Sequence, residues 1–243
     1  MNPKIRLGIN VDHVATLRNA RGGLHPDPFV VSQAAVAAGA HGITIHLRED
    51  RRHIRDEDAE RICAWAGVPI NLEMAATDEM TEIACRLRPH GVCIVPERRT
   101  EITTEGGLDV VGHREALRPI IARLNDAGIV VSLFIGPEPV QVRAAAEVQA
   151  AVVELHTGAY ANGKPGELAR LQAAAALTTQ VGLECHAGHG LTFDNVTPIA
   201  AMPEIRELNI GHFLMGEALL IGLPAAIKEM KRLMDTARGY GIV

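Results

Sequence analysis

"HREALRPIIARLNDAGIVVSLFI", residues 113–135, joins two periodicities. Up to Gly128 the apolar residues recur at helical spacing; residues 129–135 form the short, β-branched run expected of a buried strand. Gly128 stands at the junction, where a left-handed cap lets the chain reverse. The same pattern extends outward in both directions. Further β-prone runs are "IRLGIN" (5–10), "GITIHL" (42–47), "VPINLEM" (68–74), "GVCIVP" (91–96), "AVVELHT" (151–157), "VGLECH" (181–186) and "ELNIG" (207–211). Helical spacing fills "DPFVVSQAAVAAG" (27–39), "TDEMTEIACRLRP" (77–89) and "ELARLQAAAALTTQ" (167–180), and Gly39, Gly67 and Gly182 repeat the role of Gly128. Eight alternations in 243 residues predict an α/β chain folded as a single (β/α)8 TIM barrel over residues 1–243, with an open flavodoxin-like sheet as the alternative. Two connections exceed what packing needs, "VDHVATLRNARGGLHPDP" and "PERRTEITTEGGLDVVG". They are expected to carry extra helical turns or loops that cover a substrate.

Composition narrows the class. Only 3% of residues are aromatic, so Ala, Val, Ile and Leu must build the core, which suits parallel strands covered by helices. A net charge of −5 and the scarcity of aromatic rings argue against nucleic acid as a partner. Cys63, Cys85, Cys93 and Cys185 lack C-x-x-C spacing and read as buried thiols. The opening "MNPKIRLGIN" has no signal-type apolar region, and no run of about 18 apolar residues occurs. The expectation is a cytoplasmic protein without a membrane partner.

Polar residues cluster at the strand ends with period two: Asn10 and Asp12, His46 and Arg48, Asn71 and Glu73, Glu154 and His156, Glu184 and His186, Asn209 and Gly211. The residues between them are mostly aliphatic, so one face of each strand carries the polar groups. In a barrel that face is the interior, and its carboxyl-end rim is where barrel enzymes keep their chemistry. Only four lysines occur, none at a strand end, which disfavours a Schiff base on the protein, Lys164 being the one loop candidate. The signatures of phosphate-binding P-loops, dinucleotide folds, serine hydrolases and zincins are missing. His, Glu and Arg remain, the residues of proton transfer and anion binding. "AGHGL" and "NIGHFLMGEAL" are glycine turns after the seventh and eighth strands, the habitual phosphate position of barrels. Arg18, Arg21 and Arg48 are nearby cations, whereas Arg51 and Arg52 read as solvated surface.

The phrases "GINVDHVATLRNARGG", "GITIHLREDRRHI", "NLEMA", "VPERRTEITTEGGLDV", "ELHTGAYA", "AGHGLTFDN" and "ELNIGH" closely resemble the pyridoxine 5'-phosphate synthase family over nearly the whole chain. His186 in "CHAGHG" is a departure, since a neutral polar residue such as Asn is expected there, and "ANGKPGELARL" is short. The resemblance implies condensation of 1-deoxy-D-xylulose 5-phosphate with 3-amino-2-oxopropyl phosphate, in which the substrate supplies the amine. It implies no cofactor and no metal. His46 and Glu73 resemble the family's proton acceptors and His189 its donor, with Glu154 a further acid/base group. Asn10, Arg21, Gly190, Gly211 and His212 resemble contacts to the aminoketone phosphate; Asp12, His13, Arg48, His53 and Thr103 resemble contacts to the deoxyxylulose phosphate. The loop around Thr103 is expected to close on substrate. A homo-octamer is the assembly implied. Two other classes fit the residues themselves: a metal-dependent barrel hydrolase built on the histidines, and a non-catalytic phosphosugar-binding protein.

Overall fold

The computed structural model describes residues 4–65, 67–97 and 106–240. Its strands are β1 Arg6–Asn10, β2 Gly42–His46, β3 Ile70–Met74, β4 Gly91–Ile94, β5 Val130–Ile135, β6 Val152–His156, β7 Glu184–Gly188 and β8 Ile205–Ile210. They pair in parallel in chain order, and β8 closes on β1, which excludes the open sheet. Helices α1 Asp12–Arg21 and α2 Pro28–Ala37 follow β1; α3 Asp56–Cys63, α4 Asp78–Leu87, α5 Val110–Asp126 and α6 Pro139–Glu147 follow the next four strands. After β6 come α7 Gly158–Ala161 and α8 Glu167–Gln180, after β7 α9 Val196–Ala200, and after β8 α10 His212–Ile221 and α11 Leu223–Ala237. The connections after β1, β6 and β8 therefore carry extra helices; of the two long connections expected to do so, the one after β1 does, and residues 98–105 of the one after β4 lie outside the described residues. Among the described residues no helix is long and apolar enough to cross a membrane.

Alternation along each strand separates two layers. Leu7, Ile9, Ile43, Ile45, Leu72, Met74, Val131, Leu133, Val153 and Leu155 are fully buried against the helices and belong to one continuous apolar core. Each such side chain contributes about 2 kcal/mol by leaving water. The intervening residues point into the barrel. Thr44 on β2 reaches Asn209 on β8 at 3.2 Å, and Asn209 in turn donates to Glu154 on β6 at 2.8 Å. Among the described residues, one small apolar cluster inside the barrel is made by Cys93, Val95 and Phe134. The interior is thus largely polar, and its stability depends on every buried group finding a partner.

Local signals explain most boundaries. Asp27 caps α2 by accepting from Phe29 N, Thr77 caps α4 through Met80 N, and Asp109 caps α5 through Gly112 N. The last cap draws the helix start back to Val110, three residues before the expected His113, with a kink at His113. Strand β7 shifts the other way. Gly182, in the left-handed region at φ 85°, and the bond from Leu183 N to Thr178 O end α8, so the strand begins at Glu184 instead of residue 181. One buried ion pair braces the mouth of the barrel: Arg18 on α1 donates to both carboxylate oxygens of Asp58 on α3, at 2.6 and 2.8 Å. Beside it Asn19 donates to the carbonyls of Arg52 and His53, tying the connection after β1 to the one after β2.

Candidate active site

The carboxyl end of the barrel opens into a cavity of about 680 Å³. Twelve of the sequence-predicted residues line it: Asn10, Asp12 and His13 from the end of β1 and start of α1, His46, Arg48 and His53 from β2 onward, Glu73 from β3, Glu154 from β6, His189 and Gly190 after β7, and Gly211 and His212 after β8. Strand parity delivers the first residue of each set to the interior, and the turn that follows holds the rest at the rim. Arg21 does not join them. It is exposed at the far end of α1, about 14 Å along the helix from Asp12. Thr103 and the loop around it lie outside the described residues. Arg52, expected on the surface, instead lines the mouth and pairs with Asp50 at 2.6 Å.

His46 is the centre of the proton-carrying groups. Its Nε2 lies 2.8 Å from Glu97 Oε1 and its Nδ1 3.8 Å from Glu73 Oε2. Asp12 holds the strand end by accepting from His46 N at 2.8 Å and from Asn10 Nδ2 at 2.8 Å. Glu97, fixed by a further bond from Glu49 N, was not among the residues read from sequence. The signal was present: 91, 93, 95 and 97 share the inward parity of β4, but the run "ERR" reads as a surface turn. On the other side of the cavity, His156 packs between Phe134 and His189, with ring centroids 5.1 and 4.9 Å away. His13 and His212 stack at 4.7 Å.

Burial drives most of these groups toward their neutral forms, and Glu97 is held the other way by its partner. It pushes the Glu73 carboxyl well above the usual range, with repulsion from Asp12 and Glu154 adding to it. The Glu154 carboxyl is pushed up to about 7 by burial, partly offset by His186 and by the bond from Asn209, while Glu207 adds to the rise. Burial also raises Glu97, but the hydrogen bond and charge of His46 outweigh it and leave Glu97 below its ordinary value. His156 is held down to about 4 by burial and then by His189; burial lowers His13 and His53 as well. The site therefore holds an anionic acceptor at Glu97, a carboxyl at Glu73 that binds its proton more tightly than an ordinary glutamate, and a carboxyl at Glu154 near its midpoint at neutral pH. Room for Glu154 comes from Gly188, where a Cβ would lie 2.5 Å from Glu154 Oε1.

Anion-binding elements face the same space. Helix α10 opens directly at His212 after Gly211, so its free N–H groups and dipole point toward the cavity. The turn after β7 does not open a helix directly, because α9 starts only at Val196. There the backbone itself is shaped for close approach: His189 and Gly190 both adopt positive φ, 84° and 78°, and Thr157 Oγ1 clamps the turn by donating to the carbonyls of Gly188 and His189. Arg48, buried at 3% exposure, supplies a guanidinium at the cavity wall. None of the four lysines lines the cavity; Lys164 pairs with Glu167 on the surface.

The Glu184 and His186 pair read as rim residues lies elsewhere. Because β7 begins at Glu184, these side chains sit toward the amino end of the barrel, where Arg6 donates to Glu207 at 2.7 Å and also to Glu184. At the mouth, Asp12, His46 and His53 offer metal-ligand atoms within 4.8 Å of one another. Most of those atoms already have protein partners. Asp12 uses one oxygen on His46 N and the other on Asn10, His46 Nε2 faces Glu97, and His53 Nδ1 accepts from Ile54 N.

Known proteins match the chain over nearly its whole length. Two solved barrels share the fold alone: phosphoribosyl anthranilate isomerase from Thermus thermophilus, at TM-score 0.59 and 16% identity over 96% of this chain and all of that one, and tryptophan synthase from M. tuberculosis, at TM-score 0.63 and 14% identity over 98% and 94%. Sequence relatives are much nearer. A protein of Zymomonas mobilis named pyridoxine 5'-phosphate synthase is 60% identical over 98% of this chain and 94% of its own length. One of the same name from Gluconobacter oxydans is 62% identical over 96% and 100%. The family described as pyridoxal phosphate biosynthesis protein PdxJ matches residues 7–236, a span that contains all of the barrel's strands but the first residue of β1 and every residue of the cavity just described, and the chain belongs to that family.

Proposed function

We propose that this chain is a pyridoxine 5'-phosphate synthase, condensing 1-deoxy-D-xylulose 5-phosphate with 3-amino-2-oxopropyl phosphate to pyridoxine 5'-phosphate, inorganic phosphate and water. The observation that carries the reading is one cavity in which His46, Glu73, Glu154 and His189 stand beside two glycine-bearing anion sites. Imine formation, dehydration, phosphate elimination and ring closure each move protons, so the groups must alternate as acid and base near neutrality. His46, backed by Glu97, and Glu73 serve as acceptors in this reading, and His189 as donor. Glu154 exchanges its proton in the same range. Asn10, Gly190, Gly211 and His212 hold one phosphorylated substrate, and Asp12, His13, Arg48 and His53 the other, with Arg21 and Thr103 assigned to these contacts by resemblance alone. The amine of the imine is the substrate's, consistent with a cavity wall that lacks lysine. No cofactor is assigned. Incubating the purified chain with both phosphorylated substrates, and following the product by absorbance and mass, tests the assignment; binding without product supports the phosphosugar-binding alternative.

The Asp12, His46 and His53 grouping favours one second reading, a metal-assisted hydrolase. Dialysis against a chelator separates the two. Full synthase turnover after chelation is the expected result, and loss restored by a divalent cation favours the metal.

We further propose a homo-octamer. Leu219 and Leu220 on α10 are 77% and 79% exposed, and Leu24 after α1 is 77% exposed. Exposed apolar side chains on neighbouring helices fit burial against further copies of the chain.

A further inference from the structure

His186 is the histidine of residues 182–191 that the proposed chemistry leaves unused. Strand pairing sets it directly opposite Glu154 on β6 and opposite Glu207 on β8. Its Nε2 lies 2.8 Å from Glu184 Oε1 and 3.1 Å from Arg6 Nη2, and its Nδ1 lies 3.5 Å from Glu207 Oε1. Arg6 completes the cluster by donating to both carboxylates. The side chains of Arg6 and Glu184 are 43% and 41% exposed, whereas Glu154 is 2% exposed. The cluster thus meets solvent at the amino-terminal face and sits behind a carboxyl whose front faces the cavity.

We propose that His186 is a positioning residue whose imidazole, held between Glu184 and Glu207, controls the charge on Glu154 from behind and so sets the pH range in which the site turns over. The inference rests on the reading of Glu154 as an acid/base group. A protonated ring pairs with Arg6 against two carboxylates and leaves the cluster neutral. Glu154 then ionises beside a cation. A neutral ring leaves a net negative cluster, which opposes a further negative charge on Glu154. The other groups around Glu154 do not replace this control. Phe134 faces it from β5, Gly188 from β7, Asn209 and Glu207 from β8, Cys93 from β4 and Glu73 from β3, while Thr44 on β2 acts through Asn209. None of them carries positive charge, and the guanidinium of Arg6 on β1 is already shared by two carboxylates. The balance of influences on the Glu154 carboxyl agrees with the geometry: burial raises it, and His186 is the largest of those that pull it down.

Isotope-edited infrared spectroscopy of the full chain, labelled in its glutamate carboxyls, tests the coupling. The Glu154 band is identified by its loss in Glu154→Gln. In the unsubstituted protein it titrates in two steps, because coupled sites report each other's protonation. In His186→Asn the second step disappears and the midpoint rises by about one pH unit. The limb of the turnover profile governed by Glu154 moves with it. A single-step curve in the unsubstituted protein, or an unmoved midpoint in a folded His186→Asn protein, overturns the proposal. A midpoint that moves while the turnover profile stays fixed overturns the role of Glu154 instead.

Discussion

Replacing Glu154 with Gln trades activity for stability in a way that depends on pH. The substitution keeps the shape of the side chain, and Asn209 Nδ2 still finds an oxygen to donate to. Folded, the carboxyl stands at about 7; its ordinary value is 4.5. The folded chain therefore holds a proton that the unfolded chain has released. The contribution of this group to stability is complete below the lower value and is lost as pH rises through the upper one. Above that window the loss levels off at about 3 kcal/mol, from the gap between the two values at about 1.36 kcal/mol per pH unit. Glutamine has no proton to lose. Urea unfolding of both proteins, across pH values from about 4.5 to 8 and at one protein concentration, measures the difference directly. The expected curves nearly coincide at the acid end and separate by about 3 kcal/mol in favour of Glu154→Gln at the alkaline end, while turnover is lost. A difference in stability that is the same at every pH refutes the reasoning, since the titrating groups that do not interact with Glu154 cancel between the two proteins.

Glu97→Gln removes the anion facing His46 Nε2 while leaving the barrel intact; kcat falls by about tenfold to a hundredfold with little change in KM, and steady-state kinetics that show an unaltered kcat contradict the role given to Glu97. Gly190→Ala forces a side chain onto φ 78° and sets its Cβ 2.7 Å from that of Ala161, so unfolding should show a loss of about 1–2 kcal/mol together with weaker binding of the phosphorylated substrates. Retained stability and affinity count against a backbone built for phosphate there. Leu220→Asp places a charge on an exposed apolar helix end, and light scattering is expected to report a smaller particle than the parent protein gives. An unchanged mass removes that helix from the assembly surface.

Recognition of Glu97 shows how the reading from sequence falls short. Its parity was available, but the acceptor it serves, His46, lies 51 residues earlier, and no local pattern connects them. The brace between Arg18 and Asp58 spans 40 residues and was equally silent. Other features were local. Glycine turns at Gly128 and Gly182, and those after the last two strands, were readable, because each is fixed by neighbours within a few positions.

By itself, the order of residues determined eight strand-and-helix units and which side chains of each strand face inward, since a period of two is a property of the strand backbone. Only closure of the barrel decided how high along its axis each inward group sits. Strands are staggered when a sheet closes, and height depends on where each begins in the register. Asn10, His46 and Glu73 consequently meet at the mouth, Glu154 lies below them, and Glu184 and His186 share the amino-terminal end with Arg6 and Glu207. The shifts in charge that make Glu73 and Glu154 useful follow from that placement, because burial and neighbouring charge act through space and not along the chain.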